Sequence, residues 1–269
     1  MRLTGLLPFN IRVEACRMSD KSRLKRVMSN MFLDNYFTES NGSEISFSRK
    51  QSSDFAKDIA DDFNPIHDQD AKRFCVPGDL LFSTVLRKYG LSENMQFDFL
   101  GLVTDEIKLK FPDSDDSKLV ISGDNGKDYL SIDRNGEINK DAQKIEKLIR
   151  QYVAFSGQTF PHILVPLMEQ KEMMINPDRP LVIYERMMIH FNHFSFNDLS
   201  LKMTFSEMTV DGKRGNVSLR FILQSDDEVV GTGEKNMVLS GLRSYELEKI
   251  SHLTQVYNSR KNEYLNLPG

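Results

Sequence analysis

The segment Asp62-Phe63-Asn64-Pro65-Ile66-His67 places a carboxylate, a carboxamide and an imidazole around one proline. Pro65 fixes its own φ and pushes Asn64 out of the helical region, so the segment is a rigid turn rather than part of a helix. A rigid turn can hold Asp62 and His67 in a fixed relation. A carboxylate and an imidazole facing one water can take and return its protons, and the imidazole changes charge near neutral pH. Further on, Gly78 opens an apolar run. Glycine lets a ligand approach the backbone closely, and the first N–H groups of a helix have no intrahelical acceptor and favour developing negative charge. Together these parts suit addition of water to, or its removal from, a conjugated carbonyl compound, with the helix mouth holding the oxyanion. The plainer reading is a turn in which Asp62 or Asn64 caps the backbone.

The elements that must position these groups read as two similar halves from Met31 onward. A short strand at 44–47 precedes a helix that Ser48 can cap, running to about Ala60 with Phe55 and Ile59 on one face. The loop from Asp61 to Pro77 follows. Gly78 to about Tyr89 forms an apolar helix with Leu81, Val85 and Leu86 at helical spacing, stopped by Gly90. Strands are expected at 96–102, 106–111, 118–121 and 129–132, with turns at Asp124-Asn125-Gly126 and Arg134-Asn135-Gly136. The second half repeats the order: an amphipathic helix over 141–153 carrying Ile145, Leu148, Ile149 and Tyr152, then a break at Ser156-Gly157. A second helix follows, capped by Thr159, starting at Pro161 and kinked by Pro166. Strands come at 181–189, 199–210, 216–224 and 228–239, with a hairpin at Asp211-Gly212 and a final helix within 244–269. Long apolar helices followed by antiparallel strands are buried when the sheet curls around them. The expected class is α+β, in the form of a double hot-dog. Its first half spans 31–138 and carries the motif; its second half spans 139–243 and lacks it.

Composition bounds the rest. The 269 residues are 39% hydrophobic and 28% charged with a net charge of −4, which suits a globular core and speaks against a nucleic-acid binder. The two cysteines, Cys16 and Cys75, form neither a disulfide framework nor a metal-ligand spacing, so a reducing cytoplasm is expected, with no metal and no cofactor. No apolar run is long enough to cross a membrane. Residues 1–30 carry seven Lys and Arg against Glu14 and Asp20. They read as a disordered basic leader, as translation begun upstream of a natural start at Met31, or as a tail for an acidic partner.

The run Ala60-Asp61-Asp62-Phe63-Asn64-Pro65-Ile66-His67-Asp68, followed by a glycine-opened apolar helix, resembles the signature of MaoC-like (R)-specific enoyl-CoA hydratases. The likeness covers about residues 48–113, and the second half shares only the architecture. From Met31 the chain also resembles an uncharacterised bacterial family of unknown function. The MaoC-like resemblance implies a hot-dog fold and an acyl-thioester substrate carried on coenzyme A or an acyl-carrier protein. Asp62 and His67 would be the general acid/base pair, Asn64 would orient them, and the Gly78 N–H would face the thioester carbonyl. A homodimer is compatible with it.

Asp79 directly after Gly78 suits a helix N-terminus; pointing inward it would oppose an oxyanion there, and pointing outward it would be harmless. An inward Asp79, or an Asp62 and His67 too far apart to share a water, would favour a non-catalytic acyl-thioester binder. A thioesterase would need a carboxylate on the buried helix, for which Asp79 is the candidate. Asp61 is either a solvated helix-end charge or a modulator of the site. Lys72 and Arg73 read as a solvated loop before a phosphate contact, Lys108 and Lys110 as a solvent face, His162 as a cap or core residue, and His190 and His193 as sheet and turn residues.

Overall fold

The computed structural model describes residues 32–40 and 43–266. The basic leader expected over 1–30, and Cys16 within it, lie outside the described residues. The class is α+β, built on one large antiparallel sheet.

Strands β1 (Thr38–Ser40) and β2 (Glu44–Ser46) lead into helix α1 (Arg49–Asp58). Ser48 caps α1 through a reciprocal pair: its hydroxyl accepts from the Gln51 N–H, and the Gln51 side chain accepts from the Ser48 N–H. A short 3₁₀ turn, Pro65–His67, sits in the loop before α2 (Gly78–Tyr89), which ends at Gly90. Then come β3 (Leu91–Phe99), β4 (Leu109–Lys110), β5 (Lys118–Gly123) and β6 (Asp128–Asn139). In the second half, α3 (Ala142–Gly157), α4 (Thr159–His162) and α5 (Leu164–Gln170) precede β7 (Met173–Met174), β8 (Val182–Phe191), β9 (Ser200–Asp211), β10 (Arg214–Ser225) and β11 (Glu228–Ser240). Strand β12 (Arg243–Ser244) pairs with β7, and α6 (Leu247–Leu265) ends the described chain.

The ten-stranded sheet runs β1-β2-β4-β5-β6-β3-β8-β11-β10-β9. In the first half, the strand before the helices and the strand after them therefore flank the later three. The halves join where β3 pairs with β8, Asn94 opposite His190 and Asp98 opposite Arg186. Helix α2 is buried on nearly every side, with Leu80, Phe82, Val85 and Leu86 fully enclosed. Helix α3 crosses it, and Phe82 lies 4.8 Å from Tyr152 and 5.0 Å from Phe97. Tyr152 and Phe155 continue onto Phe221 of β10, so one apolar core runs through both halves.

Several local expectations need correction. The strand expected to start at Gln96 begins at Leu91, because Gly90 turns the chain straight into pairing with Asn139; the polar run Ser92-Glu93-Asn94 spans a bulge there. Arg134-Asn135-Gly136 is not a turn but the middle of β6. Arg134 is buried, and its guanidinium donates to the carbonyls of Asp116, Tyr89 and Ser114, which satisfies its donors inside the protein. Ser156-Gly157 does not break a helix but forms the last turn of α3. The segment after it bends at Phe160, which has extended φ/ψ, rather than at Pro166, which falls in the first turn of α5, where a missing N–H costs no intrahelical bond.

Candidate active site

The loop after α1 is held by its own backbone. The Asp62 N–H donates to the Ala56 carbonyl at 2.8 Å, and Asp62 Oδ1 accepts the Asn64 N–H at 2.9 Å. Asn64 Oδ1 accepts the Ile66 N–H at 3.2 Å and so caps the 3₁₀ turn, while the His67 N–H donates to the Asn64 carbonyl at 3.0 Å. Asn64 thus ties Asp62 to His67 through main-chain bonds, and its side chain is engaged as a cap. His67 Nδ1 lies 2.9 Å from the Cys75 carbonyl, so Nδ1 carries a proton and donates it. That leaves Nε2 facing Asp62 Oδ2 at 3.8 Å. The gap is too long for a direct hydrogen bond, yet one water can sit within about 2.8 Å of both atoms.

A cavity of about 320 Å³ takes in Asp62, Asn64, His67 and Gly78, so the fold brings all four sequence-derived residues to one wall. Gly78 serves packing as well as access: a Cβ there would meet Tyr184 Cδ2 at 2.6 Å. Pro77 before it offers no side-chain cap, and its carbonyl accepts from the Leu80 and Leu81 N–H groups, so Gly78 and Asp79 carry the N–H groups without an intrahelical acceptor. Asp79 turns inward. It is buried on α2, and its Oδ2 accepts from Ser156 Oγ at 2.6 Å and from the Tyr184 hydroxyl at 3.1 Å. Lys235 of β11, also buried, donates to Ser156 Oγ at 2.7 Å and to the Tyr184 hydroxyl. Asp79 Oδ1 is buried without a hydrogen-bond partner.

Sequence reasoning missed Ser156, Tyr184 and Lys235. One signal was available for Lys235: strict alternation on β11 puts it on the inward face with Met237 and Leu239, where an unpaired lysine is rare. The other candidates lie elsewhere. Lys72, Arg73, Lys108, Lys110 and His162 are exposed. His190 Nδ1 meets Asn94 Oδ1 at 2.7 Å and His193 Nε2 meets Glu228 Oε1 at 3.1 Å, as sheet and turn residues do. Asp61 has φ 54° and is ion-paired with Lys261 of α6. Among the described residues no cluster of His, Cys, Asp and Glu could hold a metal ion, and no helix is long and apolar enough to cross a membrane.

Burial sets the electrostatics. It pushes the Asp62 carboxyl above its ordinary range, against the opposing pull of His67, the Asn64 N–H and Lys235. Asp79 is pushed up for the same reason, against Lys235, Ser156 and Tyr184. Burial lowers Lys235 to about 8, with Asp79 and Asp62 resisting. Burial also pulls His67 down, but the Cys75 thiol and carbonyl and the Asp62 carboxylate outweigh it and hold the imidazole at about 9. At about 9, the imidazole keeps its proton through neutral pH.

The sign of a pH dependence follows. A reaction that needs protonated His67 loses rate as pH rises through about 9. On the acid side it loses rate as Asp62 protonates, above the ordinary carboxylate range. Cys75→Ala removes the thiol that helps hold His67 up, so kcat/KM profiles of wild type and variant should show the alkaline limb moving down in the variant. The Cys75 thiol lies against His67 Nδ1, whereas Lys235 bonds to Ser156 and Tyr184, so a limb that moves belongs to His67. A rate that instead rises with pH through 6.5 would mean that neutral His67 is the base.

A family model described as "Protein of unknown function (DUF3581)" matches residues 31–248. No curated protein matches the chain. Among solved structures, the tesB protein of Mycobacterium avium subs paratuberculosis is similar over 77% of this chain and 96% of its own, at 8% identity and a TM-score of 0.43. An acyl-CoA thioesterase II, TesB2, from Mycobacterium marinum is similar over 80% and 97%, at 10% identity and a TM-score of 0.39. An N-terminal dehydratase from the difficidin assembly line is similar over 66% and 87%, at 9% identity and a TM-score of 0.30.

Proposed function

The chain belongs to the DUF3581 family, and for this member of it we propose an enzyme that adds water to a trans-2-enoyl thioester, or removes it from the 3-hydroxyacyl form. The observation that carries this reading is the 3.8 Å gap between Asp62 Oδ2 and His67 Nε2 on the wall of a cavity, with the imidazole oriented by the Cys75 carbonyl. The fold that goes with it is a double hot-dog of the MaoC-like type, with halves at 31–138 and 139–243 and a C-terminal helix and tail over 244–269. Its support is the order of the ten-stranded sheet: in each half the first of its strands after the helices pairs with the last, β3 with β6 and β8 with β11, and β3 and β8 pair with each other. The substrate is an acyl thioester of coenzyme A or a carrier protein.

In the hydration direction, water in the gap attacks C3 and gives its proton to Asp62. Electrons move onto the thioester oxygen, which the first-turn N–H groups at Gly78 receive. The enolate then takes a proton at C2 from His67 Nε2. Asp62 returns its proton to His67 across the gap, and the proton count closes. The inward Asp79 carboxylate opposes charge on that oxygen, the feature that favours a non-catalytic acyl-thioester binder, and the Lys235 ammonium in the same cavity offsets it and so supports the catalytic reading.

Asp79 also favours a second reading, hydrolysis of the thioester, because it is a carboxylate on the buried helix facing the cavity. The two differ in products. Hydration leaves the thioester intact and places solvent oxygen on C3; hydrolysis frees a thiol. Incubation of the purified protein with crotonyl-CoA, followed by mass analysis of the products and thiol titration, should give 3-hydroxybutyryl-CoA without stoichiometric thiol. Thiol release with no hydroxyacyl product would replace the first reading by the second.

A further inference from the structure

Helix α6 seats Ile250 and Leu253 on the core and the rings of Tyr257 and Tyr264 on Phe63. Its polar side chains converge on the loop that carries Asp62 and His67 and on the end of α1 that leads into it. Arg260 pairs with Asp68, Lys261 with Asp61, and the Tyr264 hydroxyl donates to Asp58 at 2.9 Å. Tyr257 makes the most specific contact. Its hydroxyl accepts the Phe63 N–H at 3.2 Å and donates to the Asp61 carbonyl at 3.3 Å. These are the peptide groups on either side of Asp62, whose own N–H is held by Ala56. Asp61 is in the left-handed region at φ 54°, a conformation that persists when its surroundings hold it. Burial and the nearby Asp62 carboxylate push the Tyr257 hydroxyl up, so it keeps the proton it donates.

We propose that Tyr257 is a positioning residue: by bridging the Phe63 N–H and the Asp61 carbonyl it fixes the Asp62 carboxylate at its distance from His67, and α6 is thereby part of the site. The region matched by the family model ends at residue 248, just inside α6, so the residues that do this lie beyond it. The inference rests on Asp62 and His67 being the reacting pair. Tyr257 does not line the cavity, and its ring packs on Phe63 at 6.1 Å and Phe160 at 5.3 Å. Tyr257→Phe keeps those ring contacts and removes only the oxygen.

The test is an NMR titration of the His67 imidazole in wild type, Tyr257→Phe and Tyr264→Phe. Tyr264→Phe removes the hydroxyl bonded to Asp58 at the end of α1 and keeps the ring against Phe63. Both variants should melt somewhat lower. Only Tyr257→Phe should bring the His67 pKa measurably below about 9, because Asp62 is then no longer held against it, while Cys75, the stronger support, stays in place. Its kcat should fall about tenfold with KM little changed, within what a small misplacement of a catalytic group does. An unchanged His67 pKa in Tyr257→Phe, or an equal drop in both variants, overturns the proposal and leaves α6 a structural strap. The titration needs no turnover, so a lack of Asp62-dependent activity would count against the proposed reaction and not against this inference.

Discussion

Asp62→Asn should lower turnover of an enoyl thioester by about a hundredfold or more, the scale of lost acid/base help, while the melting temperature barely moves. Asparagine keeps the oxygen that accepts the Asn64 N–H at 2.9 Å, so the turn survives. What goes is the proton acceptor 3.8 Å from His67 Nε2. His67→Ala should lower turnover similarly but also release the Cys75 carbonyl, so a somewhat larger loss of stability is expected there. Steady-state kinetics beside thermal melts of both variants check this. A variant that unfolds easily, from a parent with no turnover, would mean that the motif is a structural turn.

Gly157→Ala should be among the most damaging small substitutions in the protein. A Cβ at Gly157 would lie 1.6 Å from the Ala60 carbonyl oxygen. Neither side can yield by rotating a side chain, since one is the last turn of α3 and the other is the backbone just before Asp62. Overpacking of this kind costs about 3 kcal/mol or more, which for a unit of this size lowers Tm by roughly 6–12 °C. Because the displaced backbone leads directly into Asp62, activity should fall along with stability. Calorimetry and kinetics on the same preparation measure both, and a variant with wild-type melting and turnover would show that α3 and the motif loop do not meet as closely as described.

How much of this was legible beforehand depends on whether the information is local. The Ser48 cap, the Asn64–Pro65 turn, the Gly78–Tyr89 helix and the Asp211-Gly212 hairpin are fixed by neighbours within a few residues, and the sequence pattern points to each. Arg134 was misread because a polar Arg-Asn-Gly run marks a turn unless distant carbonyls accept from the guanidinium, and Ser114, Asp116 and Tyr89 do so. The inward direction of Asp79 was open for the same reason. It is decided by Ser156, Tyr184 and Lys235, each on a different element. The contribution of α6 was illegible, since a bond from Tyr257 to Phe63 spans 194 positions and leaves no periodic trace.

The central claim is that the cavity beside Asp62 and His67 adds water to a conjugated thioester. The measurement that tests it most directly is loss of enoyl-thioester absorbance when purified protein meets short, medium and long trans-2-enoyl-CoA, with Asp62→Asn alongside. Decay in wild type at one or more chain lengths, abolished in the variant, is the predicted result. A folded wild-type protein that leaves the absorbance unchanged at every length, or decays it equally with Asn at 62, would contradict the claim.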